Sequence, residues 1–178
     1  MQMPPTASSE PGENATGDFI DHVRRQWHDT RPDLDTDPID VLGRITRISS
    51  LALHQLDRAL AGSGVSRAEF EFLCALARSD RPLRASEVTT ATMTSGASTT
   101  KHADRLTRAG FLERLPFERD GRVVLLQLTD AGRAIVDAEF PARVERDRRM
   151  LDGLDDGERA TLTALLRRVA GNVEASTW

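Results

Sequence analysis

The chain has 178 residues, of which 39% are hydrophobic and 29% charged, and its net charge is −4. These values are typical of a globular chain that is long enough for one domain with a sizeable core and short for two. No apolar run approaches the ~20 residues of a membrane span, and a single cysteine excludes an internal disulfide, so we expect a reduced, cytoplasmic setting.

The N-terminal region predicts a tail followed by helices. Residues 1–17 contain no apolar core, so we expect a flexible tail rather than a secretory signal. A helical pattern starts at Asp18, with apolar residues at helical spacing as far as Trp27. It stops at the polar run HDTRPDLDTDP. We assign residues 18–62 to the N-terminal helices.

Cap residues mark the starts of the next two helices. Thr36 or Asp37 caps a helix that runs to about Leu60 with a broad apolar stripe. Ser66 caps a third helix, and Glu69 three residues later completes a capping box. This third helix supports the segment that follows.

Residues 66–130 predict a winged helix-turn-helix with its supporting helix. Two short helices, at 85–91 and 95–108, are separated by a turn. Two strands, at 111–115 and 123–128, follow them and are joined by an Arg-rich hairpin tip. The pattern therefore predicts a mainly α fold that carries a small winged hairpin.

The C-terminal residues 131–178 predict two more helices. A long helix starts at Thr129, and Pro141 inside its pattern should kink or split it. A last helix opens at Asp155 and has several leucines and valines on one face. Both terminal regions offer apolar faces that the small central domain cannot cover, so we expect them to form a homodimerisation region.

The second helix of the pair has the composition of a DNA-reading element. Its start is rich in small and hydroxyl residues, which allow close approach to a groove, and it carries Lys101, the sole lysine of the chain. Residues 83–130 hold seven Arg and Lys against six acids, a charge of +1, so the acidity of the chain lies elsewhere. The candidate DNA-binding residues are Ser95, Ser98, Thr99, Thr100, Lys101, Arg105, Arg119 and Arg122.

Other roles remain open for some of these charges. Arg105 could contact phosphate or brace the wing, and Asp120 is expected to be a structural partner of a wing arginine. Arg119 and Arg122 could be solvated hairpin charges, although the Asp-x-Arg context favours DNA contact.

The run DGRVVLLQLTDAGRAIV resembles the wing-and-helix signature of the MarR family of winged-helix regulators, Asp-x-Arg followed by Leu-Thr-x-x-Gly. The segment TSGASTTKHADRLTRAGFLER resembles the same family's recognition helix and first wing strand. QWHDTRPDLDTDPIDVLGRITRIS resembles the N-terminal extension of its urate-responsive PecS/HucR subgroup. The resemblance implies a dimeric regulator, expected to be a repressor, that reads a pseudo-palindromic operator and releases it on binding urate or a related anion.

The same resemblance implies a ligand site. The subgroup's tryptophan, acid and two arginines fall on Trp27, Glu71, Arg78 and Arg114, although the family pattern has Asp where this chain has Glu71. Arginine forks suit the oxygens of urate, and a carboxylate can accept from its ring N–H groups. Arg114 would join this site to the DNA-reading element.

Structural roles compete with each ligand residue. Trp27 could be a core residue, and Glu71 and Arg78 could be solvated or paired with other helices. Arg114 could pair with Glu113 or Glu118 of the wing. Cys74 lies among apolar neighbours, which indicates a buried, inert thiol.

Other functional classes lack a signal. The four histidines show no metal-ligand spacing, and no nucleophile elbow, P-loop or dinucleotide fingerprint is present, so we expect no metal, no cofactor and no enzymatic activity. Two rivals remain: a regulator of the same family that answers a phenolic acid or antibiotic, and a winged-helix interaction protein that does not bind DNA.

Overall fold

A computed structural model describes residues 17–117 and 120–176, and the side chains of residues 120–122 lie outside that description. The described residues form seven α-helices, one 3₁₀ turn and three strands. In chain order these are α1 (Phe19–Thr30), α2 (Asp37–Ala59), the 3₁₀ turn (Leu60–Gly62), α3 (Arg67–Ala77), β1 (Leu83–Arg84), α4 (Ala85–Thr92), α5 (Gly96–Arg108), β2 (Leu112–Phe117), β3 (Asp120–Leu128), α6 (Asp130–Arg149) and α7 (Asp156–Ser176).

The chain divides inside α2 into two compact units, the first ending at Leu53 and the second beginning at His54. The first unit holds α1 and most of α2. Asp18 and Asp21 form a capping box at the start of α1, and Arg44 of α2 donates to both carboxylates. Gly43 allows α2 to pack closely against α1, because a Cβ at this position would lie 3.2 Å from the side chain of Ile20.

The second unit is built around α3, which is buried over most of its length. Phe70, Phe72 and Leu73 of this helix are at most 2% exposed and form a core with Val88 and Leu106. The apolar run in α3 is therefore a core helix that supports α4 and α5.

The three strands form an antiparallel sheet in the order β1-β3-β2. Leu83 of β1 pairs with Leu126, and Leu112 of β2 pairs with Leu128. All four leucines are buried, so one face of the sheet packs against the core that α3, α4 and α5 share.

The Leu-Thr-x-x-Gly run fixes the junction between the wing and α6. Thr129 caps α6, and its hydroxyl donates to the carbonyl of Gly110 at 2.7 Å. A Cβ at Gly132 would lie 2.1 Å from the carbonyl oxygen of Phe111, which no side chain tolerates. Glycine is therefore required at position 132 by the close approach of two backbones.

The structure confirms the mainly α, winged helix-turn-helix fold. The two short helices begin and end within a residue of the predicted bounds, with Ser95 as the N-cap of α5. Strand β1 was not predicted, because two residues are too short to show a period. Pro141 was expected to kink or split a helix, and the split is wrong because α6 is continuous. Both Pro141 and Asp137 are exposed, so the carbonyl of Asp137 that is left without an N–H partner can bind water.

In the described residues, no helix combines the length and the apolar character that crossing a membrane requires.

Candidate DNA interface and ligand site

The N-terminal half of α5 presents an exposed, polar surface. Ser95 caps the helix by accepting from the backbone N–H of Ser98 at 3.2 Å. Ser95, Thr100 and Lys101 are exposed and Ser98 is half-buried. The structure thus leaves these four predicted residues accessible at the start of a helix, which is the geometry by which helix-turn-helix proteins reach base edges.

Thr99 is the exception within this set. Its side chain is 0% exposed, and its hydroxyl lies 2.9 Å from that of Thr89 and 3.0 Å from that of Thr94. The prediction that Thr99 contacts DNA is therefore wrong. The sequence held the signal, because Thr99 shares a helical face with the buried Ala103 and Leu106 at spacings of four and seven.

Arg105 braces α5 against the start of α3. Its Nε lies 3.1 Å from the carboxylate of Glu69, and its Nη2 donates to the carbonyl of Gly64 at 2.8 Å. Neither partner belongs to the wing, so the prediction that Arg105 braces the wing is wrong. Its side chain is 44% exposed, so the predicted contact of Arg105 with DNA phosphate stays a prediction.

Glu69 is a buried carboxylate with a full set of partners. Its side chain is 4% exposed, and it accepts from the backbone N–H and the hydroxyl of Ser66, both at 2.8 Å. Burial alone raises the pKa of Glu69, but the hydrogen bonds from Ser66, the charge of Arg105 and the contact with His102 outweigh it and lower the pKa. Glu69 is therefore ionised at neutral pH and anchors α5 on α3.

The start of α4 is fixed by a second carboxylate. Glu87 accepts from the guanidinium of Arg81 at 2.6 Å and from the backbone N–H of Arg84 at 2.8 Å. These bonds lower the pKa of Glu87 to about 2. Arg84 also lies over the ring of Phe117 at 5.1 Å, which connects the start of α4 to the end of β2 beside the wing tip.

The structure describes the residues at the wing tip only in part. Arg119 falls outside the described residues, and Arg122 and Asp120 lie in β3 with side chains outside the description. Their predicted roles therefore stay predictions.

The predicted ligand residues lie on three elements: Trp27 on α1, Glu71 and the C-cap Arg78 on α3, and Arg114 on β2. Trp27 belongs to the first unit, on α1, and its side chain is 46% exposed. In the second unit, Arg78 caps the end of α3 and donates to the carbonyl of Ala91 at 3.2 Å. Trp27 is therefore not a core residue in this structure, and Arg78 has a neutral partner.

Arg114 contacts the recognition helix. Its Nη2 donates to the carboxylate of Asp104 in α5 at 2.5 Å. The alternative in which Arg114 pairs with Glu113 is wrong, because neighbouring residues of a strand point to opposite faces and the guanidinium binds Asp104. Glu118 lies outside the described residues.

Glu71 has a partner that the sequence did not suggest. It accepts from Arg143 of α6 at 2.5 Å, a residue 72 positions further along the chain. The buried Cys74 lies nearby: burial raises the pKa of its thiol to about 11, and the negative charge of Glu71 adds to this effect. The prediction of a buried thiol is confirmed. Among the described residues, no group of three or more His, Cys, Asp or Glu could hold a metal ion.

A small sheet with a long hairpin, two short helices at a fixed turn and an exposed second helix define a winged helix-turn-helix protein. A profile of the MarR family matches residues 63–123. Over 152 residues the chain is 36% identical to the HTH-type transcriptional regulator PecS of Dickeya dadantii (strain 3937), and this alignment covers 84% of this chain and 92% of PecS. The chain belongs to the MarR family of DNA-binding transcriptional regulators, in the PecS subgroup, and this is not a family of enzymes.

Solved structures of the family have the same fold. AbsC of Streptomyces coelicolor, a MarR family transcriptional regulator, is 26% identical, and the match covers 80% of this chain and 99% of AbsC with a TM-score of 0.70. BpsR of Bordetella bronchiseptica is 27% identical, and the match covers 74% of this chain and 98% of BpsR with a TM-score of 0.63. The DNA binding of BpsR is regulated by 6-hydroxynicotinic acid.

Proposed function

We propose that the chain is a ligand-responsive repressor that binds a pseudo-palindromic operator as a homodimer and is released by urate or a related anion. The observation that carries the proposal is the exposed start of α5, held in place by a buried hydroxyl contact and a buried carboxylate, in a chain 36% identical to PecS. A regulator that acts on operator DNA works beside that DNA, so we propose a cytoplasmic location.

In this proposal the DNA contacts come from two elements. Ser95, Ser98, Thr100 and Lys101 enter the major groove, because they lie at the accessible start of α5. Arg119 and Arg122 of the wing bind the minor groove or its phosphates, as their Asp-x-Arg context predicts.

The proposed ligand residues remain Trp27, Glu71, Arg78 and Arg114. The surroundings of the two arginines support this assignment. Arg78 has no carboxylate within ion-pair distance in the part of the chain that the structure describes, so its charge is available to an anion. Arg114 is bonded to Asp104 of the recognition helix, so a change at Arg114 alters a contact of α5.

The test is a titration of urate into a complex of the protein with duplex DNA from its own promoter region, followed by fluorescence anisotropy. Allosteric coupling of ~1–3 kcal/mol would weaken operator binding ~5–150-fold. The complex of the Arg78→Ala variant should withstand the same titration. Urate that releases no DNA at saturation, or an Arg78→Ala complex that responds as the wild type does, would disprove the urate site.

A second ligand class is favoured by BpsR, whose DNA binding 6-hydroxynicotinic acid regulates. The same complex is therefore titrated with that acid. If 6-hydroxynicotinic acid releases the DNA and urate does not, the chain is still a ligand-responsive repressor, but its ligand is of the hydroxynicotinic acid class and not urate. A chain with no affinity for duplex DNA would instead be a winged-helix interaction protein.

A further inference from the structure

Hydroxyl groups at the start of α5 are bonded within the helix itself. Ser95 accepts from the backbone N–H of Ser98, and its own hydroxyl donates to that of Ser98 at 3.0 Å. The hydroxyl of Thr100 donates to the backbone carbonyl of Gly96, also at 3.0 Å. The hydroxyl protons of Ser95 and Thr100 therefore cannot be donated to a base unless these bonds break.

The hydroxyl bond of Thr100 decides which part of its side chain DNA can meet. Threonine carries one hydroxyl and one methyl group on Cβ, and the side chain of Thr100 is exposed. Because the hydroxyl is turned back to the helix backbone, the methyl group is the part that a base can contact without breaking a hydrogen bond. Thr100 therefore offers DNA an apolar contact rather than a hydrogen-bond donor.

Ala97 adds a second exposed methyl group on the same side of α5. At 100° per residue it lies about 60° from Thr100, whereas the buried Thr99 lies about 160° from it. Side chains three residues apart on a helix have their Cβ atoms about 5–6 Å apart, so one methyl group of a bound molecule can touch both.

The first turn of α5 is also low enough for a close approach. Gly96 has no side chain, and a Cβ built there would meet no atom of the described residues within 4 Å. Packing inside the chain therefore does not require this glycine, whereas a backbone that must come close to a ligand commonly has one. The methyl groups of Ala97 and Thr100 can thus reach the floor of a groove.

Thymine is the base that shows a methyl group in the major groove, and alanine and threonine are side chains that make apolar contacts with it. We infer that Ala97 and Thr100 specify a thymine in each half of the operator, through contact of their methyl groups with its C5-methyl group. This inference rests on the proposed function, because it names the base that the same surface of α5 selects.

The test replaces thymine by uracil in duplex DNA from the promoter region, because uracil pairs as thymine does and lacks only the C5-methyl group. Fluorescence anisotropy at one salt concentration measures binding of the full-length wild type to both duplexes. The wild type should bind the uracil duplex roughly fourfold more weakly for each half-site, which is the effect of about one buried methyl group. Replacing one thymine at a time then locates the base.

Two variants of Thr100 separate its methyl group from its hydroxyl. Thr100→Ser removes only the methyl group, so its preference for the thymine duplex should fall, and addition of Ala97→Gly should abolish the preference. Thr100→Val keeps a methyl group and removes the hydroxyl, so it should retain the preference of the wild type. The opposite result, with the preference lost in Thr100→Val and kept in Thr100→Ser, would make the hydroxyl the contact and overturn the inference.

Lys101→Ala is the matched control, because Lys101 is exposed on the same side of α5 and carries a charge instead of a methyl group. It should weaken binding to both duplexes by the same factor, so the ratio of the two affinities should stay that of the wild type.

The outcomes separate this inference from the proposed function. A wild type that binds neither duplex refutes the DNA binding of the proposed function and overturns this inference with it. A wild type that binds both duplexes equally tightly overturns this inference alone. So does a double variant, Ala97→Gly with Thr100→Ser, that keeps the wild-type preference, because the methyl group of thymine would then act through the shape of the DNA or through another residue.

Discussion

We propose different roles for two basic residues of α5 that lie one turn apart. Lys101 is exposed on the surface proposed to enter DNA, whereas Arg105 is bonded to Glu69 and Gly64. Lys101→Ala should weaken operator binding and lower the slope of log K against log salt by about 0.9, provided that its ammonium neutralises one phosphate. Arg105→Ala should leave that slope unchanged and instead lower the free energy of unfolding by about 1–3 kcal/mol, because it leaves Glu69 buried with fewer partners.

Operator titrations at several salt concentrations and urea unfolding at neutral pH measure the two effects. The pKa of Glu69 is lowered in the folded chain, so its contribution to stability is present above its ordinary pKa of 4.5 and is lost as the pH falls through the folded value. The difference in stability between wild type and Arg105→Ala should therefore shrink in acid. A changed salt slope in Arg105→Ala would place this residue among the DNA contacts.

At the scale of elements, we expect the hydroxyl contacts of Thr89, Thr94 and Thr99 to fix the angle between α4 and α5. Thr99 is fully buried, and its hydroxyl contacts one residue of α4 and one of the turn. Thr99→Val keeps the shape but removes the hydroxyl, so the unfolding free energy should fall by about 1–2 kcal/mol and operator affinity should fall with it. Urea unfolding and anisotropy measure the two quantities.

Thr99→Ser is the control for this element, because it keeps the hydroxyl and loses only a methyl group. Its operator affinity should stay close to that of the wild type. If Thr99→Val bound the operator as tightly as Thr99→Ser, the hydroxyl contacts would not set the angle of the recognition helix.

Local signals explain which elements could be predicted from the sequence. Ser66 caps the third helix as predicted. Asp18, Ser95 and Thr129, which were predicted as helix starts, are the caps that directly precede their helices. The same short range explains why the wing and the two short helices were found.

The partners within the candidate site depend on distant parts of the chain and could not be predicted in this way. Glu71 meets Arg143 across 72 residues, and Arg105 reaches back 41 residues to Gly64. No spacing rule connects such pairs, since only the packing of α3 against α5 and α6 decides them. Thr99 is the one error that helical spacing could have prevented.

At the scale of the whole molecule, α7 bears an apolar face that the single chain does not bury. None of its residues is buried, and Leu162, Leu165 and Leu166 are between 39% and 51% exposed. At 100° per residue these three leucines lie within about 100° of one another on the helix. A contiguous apolar face of this kind is typical of a protein interface, and a second copy of the chain is the occupant that would give two recognition helices to a pseudo-palindromic operator.

Leu165→Asp combined with Leu166→Asp should therefore yield a monomer, because burying two unpaired carboxylates in an apolar interface is costly. Light scattering after size-exclusion chromatography measures the mass, and anisotropy on full and half operators measures binding. The double variant should bind the full operator no more tightly than the half operator, whereas the wild type should prefer the full one. Ala164→Asp places one carboxylate outside the leucine face of α7, about 160° from Leu162 and Leu166 and about 100° from Leu165, and should remain a dimer. A wild type that elutes as a monomer, or a double variant that stays dimeric, would show that α7 does not hold two copies together.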